Sequence, residues 1–231
     1  MSISDNIKRI RDEIADAAIS AGRSPDEIML VAATKTTSAN SVREAIAAGI
    51  DACGENRVQE MLEKHSAGAF AGAPLHFIGH LQKNKVKHVV GTCDLIESVD
   101  SAELLSLISE RAASMGIIQD VLIEINIARE EAKSGIMVEN LTEILEHASQ
   151  LSGVLVKGLM SIPPILVDLD KSRKYFDTIC NLFVDIRAKK YDNVIMQFLS
   201  MGMSNDFVAA IASGSNVVRI GTAIFGERKY N

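Results

Sequence analysis

Cysteine is scarce in this chain: Cys53, Cys93 and Cys180 are isolated, and no CxxC pair occurs. That excludes a disulfide framework and argues against a structural zinc site, and free thiols fit a reducing cytoplasm. No stretch approaches the roughly 20 apolar residues of a membrane-spanning helix. The amino terminus, MSISDNIKRIRDEIADAAISAG, is a charged amphipathic helix without an apolar signal core. A soluble cytoplasmic protein with no membrane partner is expected. Basic charge is short as well, with 24 Lys and Arg against 30 Asp and Glu for a net charge of −6. This argues against a nucleic-acid partner. Residues 83–88 hold three lysines and a histidine but no aromatic, which reads as a solvated helix face. GxGxxG, GxxxxGK[ST] and HExxH are all missing, so a dinucleotide fold, a P-loop and a metal site of that type are not expected. With no Pro/Gly/Ser-rich linker and no charge block, residues 1–231 read as one domain, 1–28 being an amino-terminal helical segment packed on it.

What the chain does have is alternation. Its 231 residues, 47% hydrophobic, suffice for a substantial core. Short apolar runs recur near 29–34, 51–54, 75–79, 94–99, 119–127, 153–160, 193–201 and 216–221. Between them lie segments of 3.6-residue spacing: SANSVREAIAAG, NRVQEMLEKHS, SAELLSLISERAASMG, VENLTEILEHASQL and DLDKSRKYFDTICNLFVDIRAKK. NKVKHVV and SNDFVAAIASG fill the remaining gaps. Apolar strands each followed by a helix predict a parallel sheet covered on both faces. Eight such units in about 200 residues fit the lower size limit of a closed (β/α)8 barrel. An open doubly wound sheet competes, but it usually has fewer strands and a glycine-rich first turn, and here that turn is TKTTSAN. Ser38 and Ser101 as helix caps, and Gly49 and Gly116 at helix ends, agree with this segmentation.

In such a barrel the strand ends gather at the face where α/β folds build their sites. Lys35 closes the first run there, and a partly desolvated amine loses pKa and can form a Schiff base with a carbonyl. Lys83, Lys85 and Lys133 compete for that role, but in charged stretches where an ordinary pKa is expected. LSMGMSND and RIGTAIFG follow strands seven and eight, where barrels commonly bind phosphate. Gly221 and Thr222 let the backbone approach an anion, and Ser200 and Thr222 add hydroxyls, although capping alone would justify Ser204 and Thr222. Arg219 lies on an apolar strand and needs a partner, either a carboxylate such as Glu124 or a ligand acceptor. A lysine, an anion cradle and an arginine converge on a phosphorylated aldehyde, the shape of pyridoxal 5′-phosphate (PLP). His80, just past the third strand, could line the mouth, whereas His76 reads as structural. Asn56 and Asn126 could touch a ligand or only satisfy loop backbone.

The segments LVAATKTTSANSVREAIAAGIDACGENRVQE, HFIGHLQKNKVKHVVGTCDLIESVDS, IEINIAREEAKSGI, GLMSIPP and LSMGMSNDFVAAIASGSNVVRIGTAIFGERKY strongly resemble the pyridoxal phosphate homeostasis protein family. The likeness covers residues 29–230. It implies a (β/α)8 barrel like the amino-terminal domain of alanine racemase and of fold-type III decarboxylases, with PLP as a covalent aldimine on Lys35. It also implies phosphate loops on Ser200 and Met201 and on Gly221 and Thr222, with Arg219 beside the pyridine nitrogen. An arginine keeps that nitrogen unprotonated, which makes the ring a weaker electron sink. VAATKT stands where the family commonly has VAVSKT, and the lysine is unaffected.

Members of that family are regarded as PLP carriers or homeostasis factors without established turnover. Racemases on this fold add a carboxyl-terminal domain whose tyrosine, from the partner subunit, is the second acid/base. This chain ends at Asn231, directly after the eighth unit, with Tyr175, Tyr191 and Tyr230 as its tyrosines. The expectation is a monomeric, non-enzymatic PLP carrier with a mouth open to water. Apo PLP-dependent enzymes are the candidate recipients. The alternative is a weak amino-acid racemase or decarboxylase using Lys35 alone. A Schiff-base aldolase for sugar phosphates would have no need of Arg219 against a ring nitrogen, and a role in protein interaction has no distinctive patch behind it.

Overall fold

In a computed structural model, which describes residues 2–164 and 169–226, eight parallel strands close into a barrel in sequence order. They are β1 (Met29–Ala33), β2 (Ala52–Glu55), β3 (Leu75–Phe77), β4 (Leu95–Val99), β5 (Gln119–Ile125), β6 (Val154–Ser161), β7 (Val194–Ser200) and β8 (Val217–Ile220). Each falls within, or one residue beyond, one of the eight apolar runs. Closure is made by β8 on β1, with Val31 beside Arg219 and Ala32 beside Ile220. The helices are α1 (Ile3–Ser20), α2 (Ala39–Ala47), α3 (Val58–Ser66), α4 (Val86–Val89), α5 (Ala102–Ser114), α6 (Leu141–Ala148), α7 (Leu169–Ala188), α8 (Phe207–Ala212) and α9 (Thr222–Phe225).

The strands are apolar throughout because both of their faces are covered. Alternate side chains point out under the helices and in towards the axis. Leu30, Ala32, Phe77, Ile96 and Ile123 join the large cluster beneath the helices. Val31, Ala52 and Val217 form a separate small cluster, and Leu95, Leu122 and Met160 another, as the filled interior of a barrel requires. Residues in register across parallel strands share a face, so Arg219, beside Val31, projects into the interior.

The helix ends follow local chemistry. Ser38 and Ser101 accept hydrogen bonds from the backbone N–H groups of Ser41 (3.1 Å) and Leu104 (3.3 Å). A reciprocal Ser2–Asp5 capping box starts α1, whose buried stripe is Ile7, Ile10, Ile14, Ala17 and Ala18. Each of those isoleucines contributes roughly 1.5–3 kcal/mol by burial. This stripe packs α1 on α8, α9 and α2. Asn6 Nδ2 donates to the Ile224 carbonyl at 2.9 Å, and Arg23 Nη1 to those of Ile211 (3.1 Å) and Ser215 (2.6 Å). The amino-terminal segment therefore braces the last two barrel units. Among the described residues no helix is long and apolar enough to cross a membrane, and no group of three His, Cys, Asp or Glu could hold a metal. Tyr230 lies outside the described residues.

Candidate functional site

The carboxyl ends of β7, β8 and β1, consecutive around the barrel, surround a cavity of about 510 Å³. One wall is the turn after β1, with Lys35, Thr36, Thr37 and Ser38. The opposite lining comes from residues 203–206 after β7 and from Gly221, Thr222 and Phe225 after β8. Arg219 contributes to the floor, and Ile3 of α1 to the rim. Lys35 is half-buried. Of the lysines weighed in the sequence it alone lines this cavity; Lys133 pairs with Glu130 at 2.8 Å, and Lys83 pairs with Glu103.

The loop after β7 is shaped by Gly202, at φ +95°, where a Cβ would meet Ala210 Cβ at 2.7 Å. Only glycine lets the chain turn there against α8. Beyond it Asp206 Oδ1 accepts from the Met203 N–H at 2.6 Å, and Ser204 Oγ accepts from the Ala223 N–H at 3.4 Å, joining the two loops. Burial raises the Asp206 pKa against the opposing pulls of the Met203 N–H and the Arg219 charge.

Arg219 is anchored from below. Its Nη2 donates to the Ser161 carbonyl at 2.9 Å and its Nη1 to Ser200 Oγ, which in turn donates to Glu97 Oε2 at 2.6 Å. Glu97 Oε1 is 2.7 Å from His76 Nδ1. Burial alone would push the Glu97 carboxyl up, but the hydrogen bond and charge of His76, the charge of Arg219 and the Ser200 hydroxyl outweigh it and hold its pKa below the ordinary value. Desolvation lowers the Arg219 pKa, opposed by the carboxylates of Glu97, Glu124 and Asp206. The expected carboxylate neighbour, Glu124, thus acts through charge, while Glu97 makes the contact.

Of the residues singled out in the sequence, Lys35, Arg219, Gly221 and Thr222 meet on this one cavity. Ser200 and Met201 do not line it: both are fully buried, Ser200 inside the barrel beneath Arg219 and Met201 in the large apolar cluster. The strand runs on through Ser200, so the loop that reaches the cavity starts later, at 203–206. Asn56 and His80 also lie outside the lining. Asn56 Oδ1 is buried without a hydrogen-bond partner, and the largely exposed His80 Nδ1 stands 3.1 Å from both Ser134 Oγ and Asp100 Oδ2. Asn126 spends its amide on the loop carbonyls of Glu130 and Lys133. Sequence reasoning overlooked Glu97, a carboxylate on an apolar strand that carried the same signal as Arg219.

A family model described as the alanine racemase N-terminal domain matches residues 3–229. The pyridoxal phosphate homeostasis protein of Aquifex aeolicus is 43% identical over 230 residues, covering the whole of both chains. Its Escherichia coli counterpart is 38% identical, covering 99% of this chain and 98% of that protein. The structure of PipY from Synechococcus elongatus, solved with PLP bound, superposes with a TM-score of 0.84 at 29% identity, covering 97% of this chain and all of that one. Alanine racemase from Clostridium difficile shares the barrel fold, with a TM-score of 0.70 at 18% identity over 61% of its own chain. Matches that run the length of the chain lead to one assignment: it belongs to the alanine racemase N-terminal domain family and, within it, to the pyridoxal phosphate homeostasis proteins.

Proposed function

We propose that this protein binds PLP in the cavity between β7, β8 and β1, holds it as a Schiff base on Lys35, and hands it on without turnover of its own. The observation that carries this reading is that Lys35, Arg219, Gly221 and Thr222 line one cavity. The names of the relatives support it, as does the PipY structure with PLP bound.

The residues present fit the group. The cavity volume falls within the roughly 300–1,000 Å³ usual for small ligands. A Cβ on Gly221 would sit 3.3 Å from Ala33 Cβ. The bare backbone therefore keeps open the gap between the β8 loop and β1. PLP, when bound, supplies an aldehyde, an electron-withdrawing ring and a phosphate. Lys35 supplies the amine that captures the aldehyde. The N–H groups at Gly221 and Thr222, with the hydroxyls of Thr222 and Ser204, supply donors for the phosphate. Arg219, on the same lining, would be the partner of the ring nitrogen, and a guanidinium can only donate to it. An unprotonated ring draws electrons weakly, which suits storage better than carbanion chemistry. Asp206, on the same lining, disfavours an anion there and so favours release over retention. Cys53 and Cys93 are buried free thiols, in keeping with a reducing cytoplasm.

Titrating the apo protein with PLP, then adding an apo PLP-dependent enzyme, tests the reading. A yellow complex that loses its colour as the acceptor gains activity is expected. A protein that stays colourless at saturating PLP would contradict it.

A further inference from the structure

The residues that aim Lys35 lie outside the cavity. We propose that Glu60 and Lys64, on α3, are positioning residues that fix the direction of Lys35 for capture of the aldehyde. The inference rests on the reading of Lys35 as the capturing amine.

Lys35 sits second in a four-residue turn closed by Thr37 N–H donating to the Thr34 carbonyl at 3.1 Å. The third position, Thr36, has φ +61°. A type II turn needs that positive φ, normally supplied by glycine, and a β-branched residue there is strained. Strain of this kind persists only where the surroundings hold it. Here α3 does so: Glu60 Oε1 accepts the Thr36 N–H and also accepts from Lys64 Nζ at 2.7 Å. Lys64 Nζ donates in addition to the Thr34 carbonyl at 2.6 Å and to Glu55 Oε1 at 2.8 Å. The Thr34 carbonyl and the Thr36 N–H belong to the two peptide units on either side of the Lys35 Cα. One ammonium–carboxylate pair thus grips both, and the Cα–Cβ direction of Lys35 follows.

Lys64 itself cannot be the capturing amine. An ammonium has three protons, all three are donated, and its side chain is only 7% exposed. In a sequence, Glu60 and Lys64 read as an ordinary i,i+4 surface pair of small worth. What changes their role is Glu55, fully buried at the end of β2, which draws Lys64 beneath the β1 turn.

Capture joins Lys35 Nζ to the aldehyde carbon as C=N and expels the aldehyde oxygen as water. Pyridoxine 5′-phosphate carries an alcohol in place of the aldehyde and fills the same cavity without that step. In Glu60→Ala, pyridoxine 5′-phosphate should bind as in the unmodified protein, while apparent PLP affinity and borohydride-fixed Lys35 fall by about tenfold or more. Glu60→Gln keeps the acceptor and should stay near the parent. Adding Thr36→Gly to Glu60→Ala relieves the strain and should restore much of the capture. Equal losses for both ligands in Glu60→Ala, or normal Lys35 fixation, would overturn the inference. If the unmodified protein bound pyridoxine 5′-phosphate yet never fixed PLP on Lys35, the reading of Lys35 would fail first and take this inference with it.

Discussion

Arg219 on β8 and Glu97 on β4 face each other across the barrel axis, Nη1 to Oε2 at 3.6 Å, with the Ser200 hydroxyl bridging them. Both side chains are almost wholly buried, at 3% and 0% exposure. Such a pair is weak grounds for stability by itself, but severing it strands a buried charge. Glu97→Ala should therefore lower the unfolding free energy by about 3–5 kcal/mol, read from urea denaturation of the apo protein. A loss below about 1 kcal/mol would show that Ser161 and solvent satisfy Arg219 unaided.

Glu124 titrates out of its usual range. Desolvation, reinforced by the charge of Asp100 and opposed by Arg219, pushes its pKa from 4.5 up to about 7. The folded protein then holds this proton longer than the unfolded chain does. The associated stability is complete below about 4.5 and is lost as the pH rises through 7. Glu124→Gln should abolish that decline, making the variant the more stable protein at pH 8 by at most roughly 3 kcal/mol. Parallel urea curves for the two proteins from pH 5 to 8 would count against the assignment.

Gly202 is where the fold and the site depend on the same backbone. Gly202→Ala places a methyl group 2.7 Å from Ala210 Cβ at a positive φ. It should cost about 1–3 kcal/mol in stability and weaken PLP binding by displacing residues 203–206. A variant with unaltered thermal midpoint and PLP affinity would show that the loop is held by other contacts.

Strands and helices were legible because a barrel strand, covered on both faces, announces itself as an uninterrupted apolar run. Lys35 and Arg219 were legible for the opposite reason, as charges placed where such runs predict burial. Ser200 lies near the end of the seventh apolar run, where position alone suits strand or loop; β7 carries it into the barrel, where Glu97 and Arg219 engage its hydroxyl. Glu124 is the carboxylate the sequence offers Arg219, yet Glu97, also on an apolar strand, is the one that meets it. Only the register around the closed sheet decides which one contacts it through Ser200. His80, just past β3, is largely exposed and stands near Asp100, just past β4, and Ser134, outside the lining of the Lys35 cavity. Lys64 left no trace at all, because its burial depends on a carboxylate nine residues earlier that the sequence assigns to a strand end.

The account also expects no chemistry at the α-carbon of amino acids. Protein loaded with PLP and incubated with alanine in deuterium oxide should show no exchange of the α-proton above a Lys35→Ala control. Exchange that depends on Lys35 would make the protein an enzyme.

The central claim is that one amine, Lys35, holds PLP. Borohydride reduction of the PLP-loaded protein, followed by peptide mass mapping, reads this directly. The account predicts a single phosphopyridoxyl adduct on Lys35 that is absent from Lys35→Ala; an adduct on Lys64, Lys83 or Lys133 with Lys35 unmodified would contradict it.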